Sequence, residues 1–172
     1  EGYLVSSDQT LKVCTKAIEY SRDNQTKIVL TLSDPNIVKF FRDNILSLLK
    51  KKIDFIFCNE LEAKYFSQTN TTMEALTFLK RFADRVVVTL GNKGAVYTDS
   101  SNDHIVDGID VESKDFTGAG DMFLGAFMHK FKSSENAHES LIFANTCASK
   151  IIQTFGAKFE RDSDYESLIR GR

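Results

Sequence analysis

Apolar, β-branched runs alternate with helix-period patterns along this chain, and that alternation restricts it to βαβ units built on a mostly parallel sheet. Lys27 to Leu32, Ile53 to Cys58 and Arg85 to Leu90 read as strands. Tyr3 to Val5 reads as a strand already under way, as though the chain began inside a larger fold. A helix is expected from Ser7 or Asp8, with Leu11, Cys14, Ala17 and Ile18 on one face. Ser33-Asp34-Pro35 breaks the next strand, and Val38, Phe41, Ile45, Leu48 and Leu49 mark another helix. Short helices are expected from Glu60 and over Thr72 to Phe82. Gly91-Asn92-Lys93-Gly94 is a turn into Ala95 to Thr98, and His104 to Val106 pairs nearby as a small antiparallel extension. Two long helical patterns, Gly118 to Lys132 and Glu135 to Phe155, and a short one over Asp164 to Ile169 complete the reading. With one proline, no internal repeat and no low-complexity tract, residues 1–172 read as a single α/β unit.

Charge and cysteine usage exclude several classes. A formal net charge of −2 gives no electrostatic footprint for nucleic acid or an anionic membrane. The one dense basic run, Lys50-Lys51-Lys52, ends a helical pattern, where cations suit the helix dipole. Cys14, Cys58 and Cys147 are widely spaced and lie in apolar neighbourhoods, as small core residues of a cytoplasmic protein do. His104, His129 and His138 lack metal-ligand spacing. No apolar stretch approaches the roughly 18 residues of a membrane span.

The densest chemistry lies in Asp115-Phe116-Thr117-Gly118-Ala119-Gly120-Asp121, followed at once by an apolar helical pattern. A G-A-G turn opening a helix leaves backbone N–H groups pointing outward at the positive end of the dipole. Glycine there lets a phosphate approach without a Cβ in the way. Asp121 would repel that anion, so it needs a second reason to be there. One is a general base that takes a proton from an attacking hydroxyl. The plainer alternative is an acidic first-turn residue of an ordinary capped helix.

In parallel sheets ligands bind beyond the carboxyl ends of the strands, and this chain puts polar residues there. Asn59-Glu60-Leu61-Glu62 begins a helix directly after a strand. Asn59 suits an N-cap, whereas Glu62 on the first turn suits a water-mediated Mg²⁺ site, which needs only one or two carboxylates. Thr89, Gly91 and Gly94 form a strand end and turn able to approach a nucleotide, or a plain hairpin turn. No G-x-x-x-x-G-K-[ST] loop and no G-x-G-x-x-G after a strand is present, so neither a Walker-type nor a dinucleotide site is supported.

Taken in order, N-x-x-E at Asn59 and Glu62, T-x-G-x-x-G at Thr89, Gly91 and Gly94, D-x-x-G-A-G-D at Asp115 to Asp121, Ala144-Asn145, and Gly156-Ala157 resemble the ribokinase/PfkB family of carbohydrate and nucleoside kinases. Glu1-Gly2-Tyr3 and Leu32 to Pro35 look closest to its adenosine-kinase-like branch. The resemblance implies a ribokinase-like three-layer α/β/α sandwich with a mostly parallel sheet. It also implies an ATP- and Mg²⁺-dependent phosphotransferase acting on the primary alcohol of a small nucleoside or sugar, with adenosine the first expectation. Asp121 would be the catalytic base, and Gly118, Ala119 and Gly120 the anion hole for the γ-phosphate. Asn59 and Glu62 would organise Mg²⁺ and its waters, while Thr89, Gly91 and Gly94 line the ATP site with Asn145 near the adenine. Asp115 and Thr117, with backbone near Gly156, match a monovalent-cation site, so K⁺ dependence is expected.

Two departures qualify the match. Phe116 stands where the family most often has threonine, on the acceptor side of the loop. The motifs also cover only the C-terminal half of the family's fold. The N-terminal half, with the glycine-rich substrate motif, the acceptor-binding carboxylate and the lid, has no counterpart here. An isolated chain of this kind is expected to bind nucleotide without turnover, and to need the missing half or a homo-oligomeric partner.

Overall fold

Two buried runs form the spine of the sheet. β2 (Ile53–Asn59) and β3 (Ala83–Thr89) are buried over most of their length, the pattern of strands covered on both faces. They pair in parallel, from Ile53 against Ala83 to Asn59 against Thr89. β1 (Val29–Thr31) lies parallel to β2, with Val29 opposite Phe55 and Thr31 opposite Phe57. β4 (Ala95–Thr98) and β5 (Asp103–Val106) complete an open sheet of order β1-β2-β3-β4-β5. The turn Asp99–Asn102 is closed by the Asp99 N–H on the Asn102 carbonyl at 3.0 Å and is too short for a parallel crossover, so the sheet is mixed. The computed structural model describes residues 1–50 and 52–170; Lys51 of the basic run lies outside the described residues. The chain divides into two compact units, Glu1–Thr89 with Tyr97–Asp103, and Leu90–Val96 with His104–Arg172.

In the first unit, side-chain caps set where each helix begins. Ser7 accepts from the Thr10 N–H ahead of α1 (Asp8–Asp23). Asp34 accepts from the Asn36 N–H at 2.7 Å ahead of α2 (Pro35–Leu48), with Pro35 in the first turn where its missing N–H costs nothing. Capping boxes open α3 (Glu60–Ser67) and α4 (Thr72–Leu79). Phe66, Phe78 and Phe82 pack edge-on or tilted, and the Arg42 guanidinium lies 5.6 Å from the Phe66 ring while its Nε donates to the Phe66 carbonyl. Burial pushes the Cys58 thiol well up, as expected of an inert core cysteine.

The opening segment is not a strand. Gly2–Ser6 forms a 3₁₀ turn, closed where the Ser6 hydroxyl donates to the Tyr3 carbonyl at 2.8 Å. The Gly2 N–H donates to Ser33 Oγ at 2.8 Å, and Gly2 lies so close to the Leu32 carbonyl that a Cβ would sit 2.4 Å from its oxygen. The turn thus seats Val5 in the core at the end of β1 instead of adding a ladder. Three alternating residues carry too little periodicity to distinguish these outcomes. On α1, Leu11, Cys14 and Ile18 are half-buried while Ala17 faces solvent, so the apolar face is narrower than expected.

In the second unit α5 (Ala119–Ser134) packs on α6 (Ala137–Ile151), burying Phe123, Phe127, Leu141, Ala144 and Ile151. Burial pushes the Cys147 thiol on α6 up to about 11. α6 stops short of the expected Phe155 because the Ile152 carbonyl turns to accept from the N–H groups of Lys114, at 2.7 Å, and Asp115, at 3.2 Å. α7 (Asp162–Arg170) follows.

Gly2→Ala tests the seating of the opening turn. The added methyl overpacks against the Leu32 carbonyl, and urea denaturation is expected to show a loss of about 1–3 kcal/mol. An unchanged midpoint would contradict this packing.

Candidate functional site

The first unit gathers its predicted residues at the carboxyl ends of β2 and β3. Asn59 ends β2, sits in register with Thr89 at the end of β3, and is also the N-cap of α3. Its Oδ1 accepts from the Glu62 N–H at 2.8 Å, and its own N–H donates to Glu62 Oε2 at 3.0 Å. A third bond, Asn59 Nδ2 to Glu62 Oε1 at 2.7 Å, engages the second carboxylate oxygen. The capping reading and the site reading of Asn59 therefore coexist. Glu60 does neither: it bonds Lys64 and the Thr72 hydroxyl, at 2.7 and 2.6 Å.

Glu62 is an unusual carboxylate. Only 4% of it is exposed, and burial pushes its carboxyl up, against the pull of the Asn59 N–H. The Asp34 carboxylate adds to the rise. Asp34 and Tyr3, which belong to segments that carry the adenosine-kinase-like resemblance but were given no site role, lie in the same polar neighbourhood. The Tyr3 hydroxyl is pushed up by desolvation and then by the nearby Asp34 carboxylate. A cation would offset this concentration of negative charge. Among the described residues no group of three or more His, Cys, Asp or Glu is placed to grip a metal directly. The donor set fits Mg²⁺ held through its waters and a ligand's phosphates, which is how that ion usually binds.

In the second unit the glycine turn is braced from below. The Leu90 N–H donates to the Gly94 carbonyl at 2.8 Å, and the Gly94 N–H to Gly91 at 3.1 Å. Gly94, at φ +101°, has the chain's own backbone where a Cβ would go: the Val106 oxygen would be 1.9 Å away. Gly108 answers from the other side, its would-be Cβ 2.1 Å from the Asn92 oxygen. Gly91, at φ +63°, faces open space. Of the two predicted glycines, Gly94 is thus required by packing and Gly91 leaves room for a ligand. Asn145 joins the same layer, its Nδ2 donating to the Asp107 carbonyl at 3.0 Å. Gly108 and Asp107 escaped motif reading, although a glycine just past a strand was a usable signal.

The run Asp115 to Asp121 is held by one carboxylate. Asp115 Oδ1 accepts from the Thr117 N–H at 2.9 Å and the Thr117 hydroxyl at 2.7 Å. Oδ2 accepts from the Gly156 N–H at 2.9 Å, across a long sequence separation. These bonds, the Thr117 hydroxyl first, hold the Asp115 carboxyl below the usual carboxylate range. Gly118, at φ +78°, is the N-cap of α5 and packs against Ala157, whose Cα would be 2.7 Å from a Cβ. No side chain caps this helix, and Gly120 faces open space. The Ala119 N–H donates to the Phe116 carbonyl at 3.1 Å, which leaves the Gly120 and Asp121 N–H groups at the helix start without an intrahelical partner, beside the exposed Asp121 side chain. Asp121 also borders an apolar cavity of about 380 Å³ lined by Met122, His129, Phe143 and Leu168.

The geometry is thus a pair of constellations: Asn59, Glu62 and Thr89 in one unit, and the braced glycine turn, the Asp115–Thr117–Gly156 clasp and the α5 N-terminus in the other. Comparison with known proteins gives these a context. The profile of the pfkB family carbohydrate kinases matches residues 1–163. The ribokinase of Staphylococcus aureus (strain COL) is 32% identical over 137 residues, 76% of this chain and 44% of its own length. A putative Ribokinase II from E. coli, solved in complex with ATP and Mg²⁺, superposes with a TM-score of 0.85 at 26% identity, covering 99% of this chain and 57% of that one. The adenosine kinase of Sinorhizobium meliloti shares the fold with a TM-score of 0.90 at 24% identity, over 98% of this chain and 52% of its own. The chain spans about half the length of the relatives it matches.

The clasp makes a pH prediction. Because the folded carboxyl of Asp115 titrates below its unfolded value, its contribution is fully present above the ordinary carboxylate pKa of about 3.9 and is lost as pH falls through the lowered value. The Gly156 amide resonance, followed by NMR, should titrate with its midpoint below about 3.9. A midpoint at or above that value would contradict the clasp.

Proposed function

This chain belongs to the pfkB family of carbohydrate kinases, and we propose that residues 1–172 form the nucleotide-binding and catalytic portion of an ATP-dependent kinase for a primary hydroxyl. Members of this family are phosphotransferases, and the acceptor proposed here is a nucleoside, adenosine first, or a sugar. The observation that carries the reading is the start of α5, which no N-cap side chain covers, where Gly118 turns the chain, Gly120 leaves space, and the Asp121 side chain stands exposed.

In this mechanism the amides of Gly118, Ala119 and Gly120 hold the γ-phosphate and meet the charge that develops as it transfers. Asp121 accepts the proton of the acceptor hydroxyl as its oxygen attacks phosphorus. Thr89, Gly91 and Gly94 line the nucleotide, Gly91 by leaving space and Gly94 by fixing the turn. Asn145 acts on that turn through the Asp107 carbonyl. Asn59 and Glu62 would hold Mg²⁺ through its waters, and the ion would supply neutralisation of phosphate charge. The Asp115–Thr117 loop and Gly156 are the proposed seat of K⁺. Three free cysteines, with Cys58 and Cys147 buried and Cys14 half-buried, suit a cytoplasmic setting.

A second reading has its own observation: the chain covers only about half of its relatives. Under it, this polypeptide binds nucleotide but does not turn over until the missing half, or a partner, supplies the acceptor pocket.

A coupled phosphotransfer assay against nucleosides and sugars separates the two readings. In an active form, Asp121→Asn should reduce kcat by about 10²–10⁴-fold while nucleotide still binds. Retention of most turnover would sink the base assignment. Exchange of K⁺ for a bulky organic cation, in the same assay, reads the cation site.

A further inference from the structure

Nothing in their sequence spacing relates His104 to His138, yet the fold brings the two rings together within the second unit. Their centres lie 5.8 Å apart and their planes are inclined by 53°. His104 is half-buried on β5, and His138 is exposed in the first turn of α6. The remaining histidine, His129, sits instead against Phe143, with ring centres 6.2 Å apart. Backbone register sets the pairing. Asn145 Nδ2 donates to the Asp107 carbonyl at 3.0 Å and so ties α6 to the chain just past β5. From His104 to Asp107 the extended chain advances about 10 Å, and from His138 to Asn145 the helix also advances about 10 Å. Strand and helix therefore run in step, with the two rings at one end and the Asn145 bond at the other.

Two imidazoles held side by side can do together what neither does alone. When two rings share one metal ion, each with a nitrogen about 2.0–2.1 Å from it, their centres stand roughly 5–6 Å apart. The separation of His104 and His138 falls in that span, and rotation about the side-chain bonds suffices to turn one nitrogen of each ring to a common point. A ligating histidine uses one ring nitrogen and gives the other to a hydrogen bond, so a second contact of either ring does not compete. Among the described residues no set of three or more His, Cys, Asp or Glu is placed to hold a metal. The ion would therefore keep water on its remaining positions, as at an open site. Imidazole nitrogen suits Zn²⁺, Cu²⁺ and Ni²⁺, whereas Mg²⁺ favours carboxylate and water oxygen. The positive end of the α6 dipole opposes a cation, and Glu139 in the same first turn counters it.

We propose that His104 and His138 form a two-imidazole site for a divalent transition ion, using none of the residues assigned to Mg²⁺ or K⁺. The ion would clip β5 to α6. The end of that strand backs the glycine turn, where Val106 and Gly108 lie against Gly94 and Asn92, and α6 carries Asn145. A bound ion would thus stiffen the layer on which the turn rests. The site lies wholly within the second unit and does not depend on the kinase reading.

The experiment is calorimetric titration of the 172-residue chain with Zn²⁺, alone and in excess Mg²⁺, beside its His104→Gln, His138→Gln and His129→Gln variants. Glutamine keeps a polar side chain and removes the imidazole, and circular dichroism checks that each variant folds. The parent is expected to bind a single Zn²⁺ saturably, with Mg²⁺ making no difference. His104→Gln and His138→Gln should each weaken binding by at least about 10- to 100-fold, the loss seen when a metal ligand is deprived only of its supporting partner. His129→Gln should bind like the parent. Zn²⁺ should also raise the thermal midpoint of the parent and leave those of the two site variants unmoved. The proposal is overturned if the parent shows no saturable binding, or if Mg²⁺ displaces the ion. Binding that survives both site variants overturns it by assigning the ion to thiols or carboxylates. An effect of only one of the two overturns it equally, since a single imidazole would then be the ligand. Neither histidine enters the proposed phosphotransfer, so failure here leaves the Asp121 assignment standing.

Discussion

The carboxylate of Asp115 joins two turns far apart in the sequence, and the presentation of the α5 N-terminus depends on that join. One oxygen orders Thr117 and the other takes the Gly156 N–H. Between them Gly118 is forced into a left-handed conformation against Ala157, which only glycine accepts without strain. Ala119 then begins the helix with no side chain across its first N–H groups. A side-chain cap here would occupy donors of the proposed anion site, and the backbone is instead oriented from outside the helix. For that proposed site this would be preorganisation in the physical sense, with the backbone fixed before any ligand arrives.

The first unit solves a different problem. Glu62 is buried, and that burial, with the Asp34 carboxylate, raises its carboxyl against the pull of the Asn59 N–H. The bonds to Asn59 fix both its oxygens while each keeps lone-pair capacity for water. A carboxylate kept in this state costs stability on its own, a cost that the proposed water-mediated cation would offset. The same capping box that starts α3 is thus the device that orients the proposed metal-binding group.

Much of this was legible in the sequence, for reasons that differ by residue. Asn59, Glu62 and Asp115 to Asp121 were readable because each needs a particular side chain at a particular distance from a strand end or helix start. The long buried runs of β2 and β3 were readable because both of their faces demand apolar residues. Tyr3 to Val5 misled, since its conformation is decided by the Leu32 and Ser33 backbone and side chain rather than by its own alternation. Gly108 and Asp107 were missed because their role is a backbone contact with residues distant in sequence, which the place of Gly108 just past a strand signals only in part. The place of Asp34 beside Glu62 is likewise tertiary. Local pattern pointed to the candidate residues, and long-range backbone contacts determined their geometry.

The account's central claim is that the amides opening α5 hold a terminal phosphate. Backbone NMR of the chain, titrated first with ADP and then with a non-hydrolysable ATP analogue, tests it most directly. The account predicts that the Gly118, Ala119 and Gly120 amides move with the triphosphate analogue and far less with ADP. Shifts confined to the Gly91–Gly94 turn, or equal for the two nucleotides at α5, would contradict it.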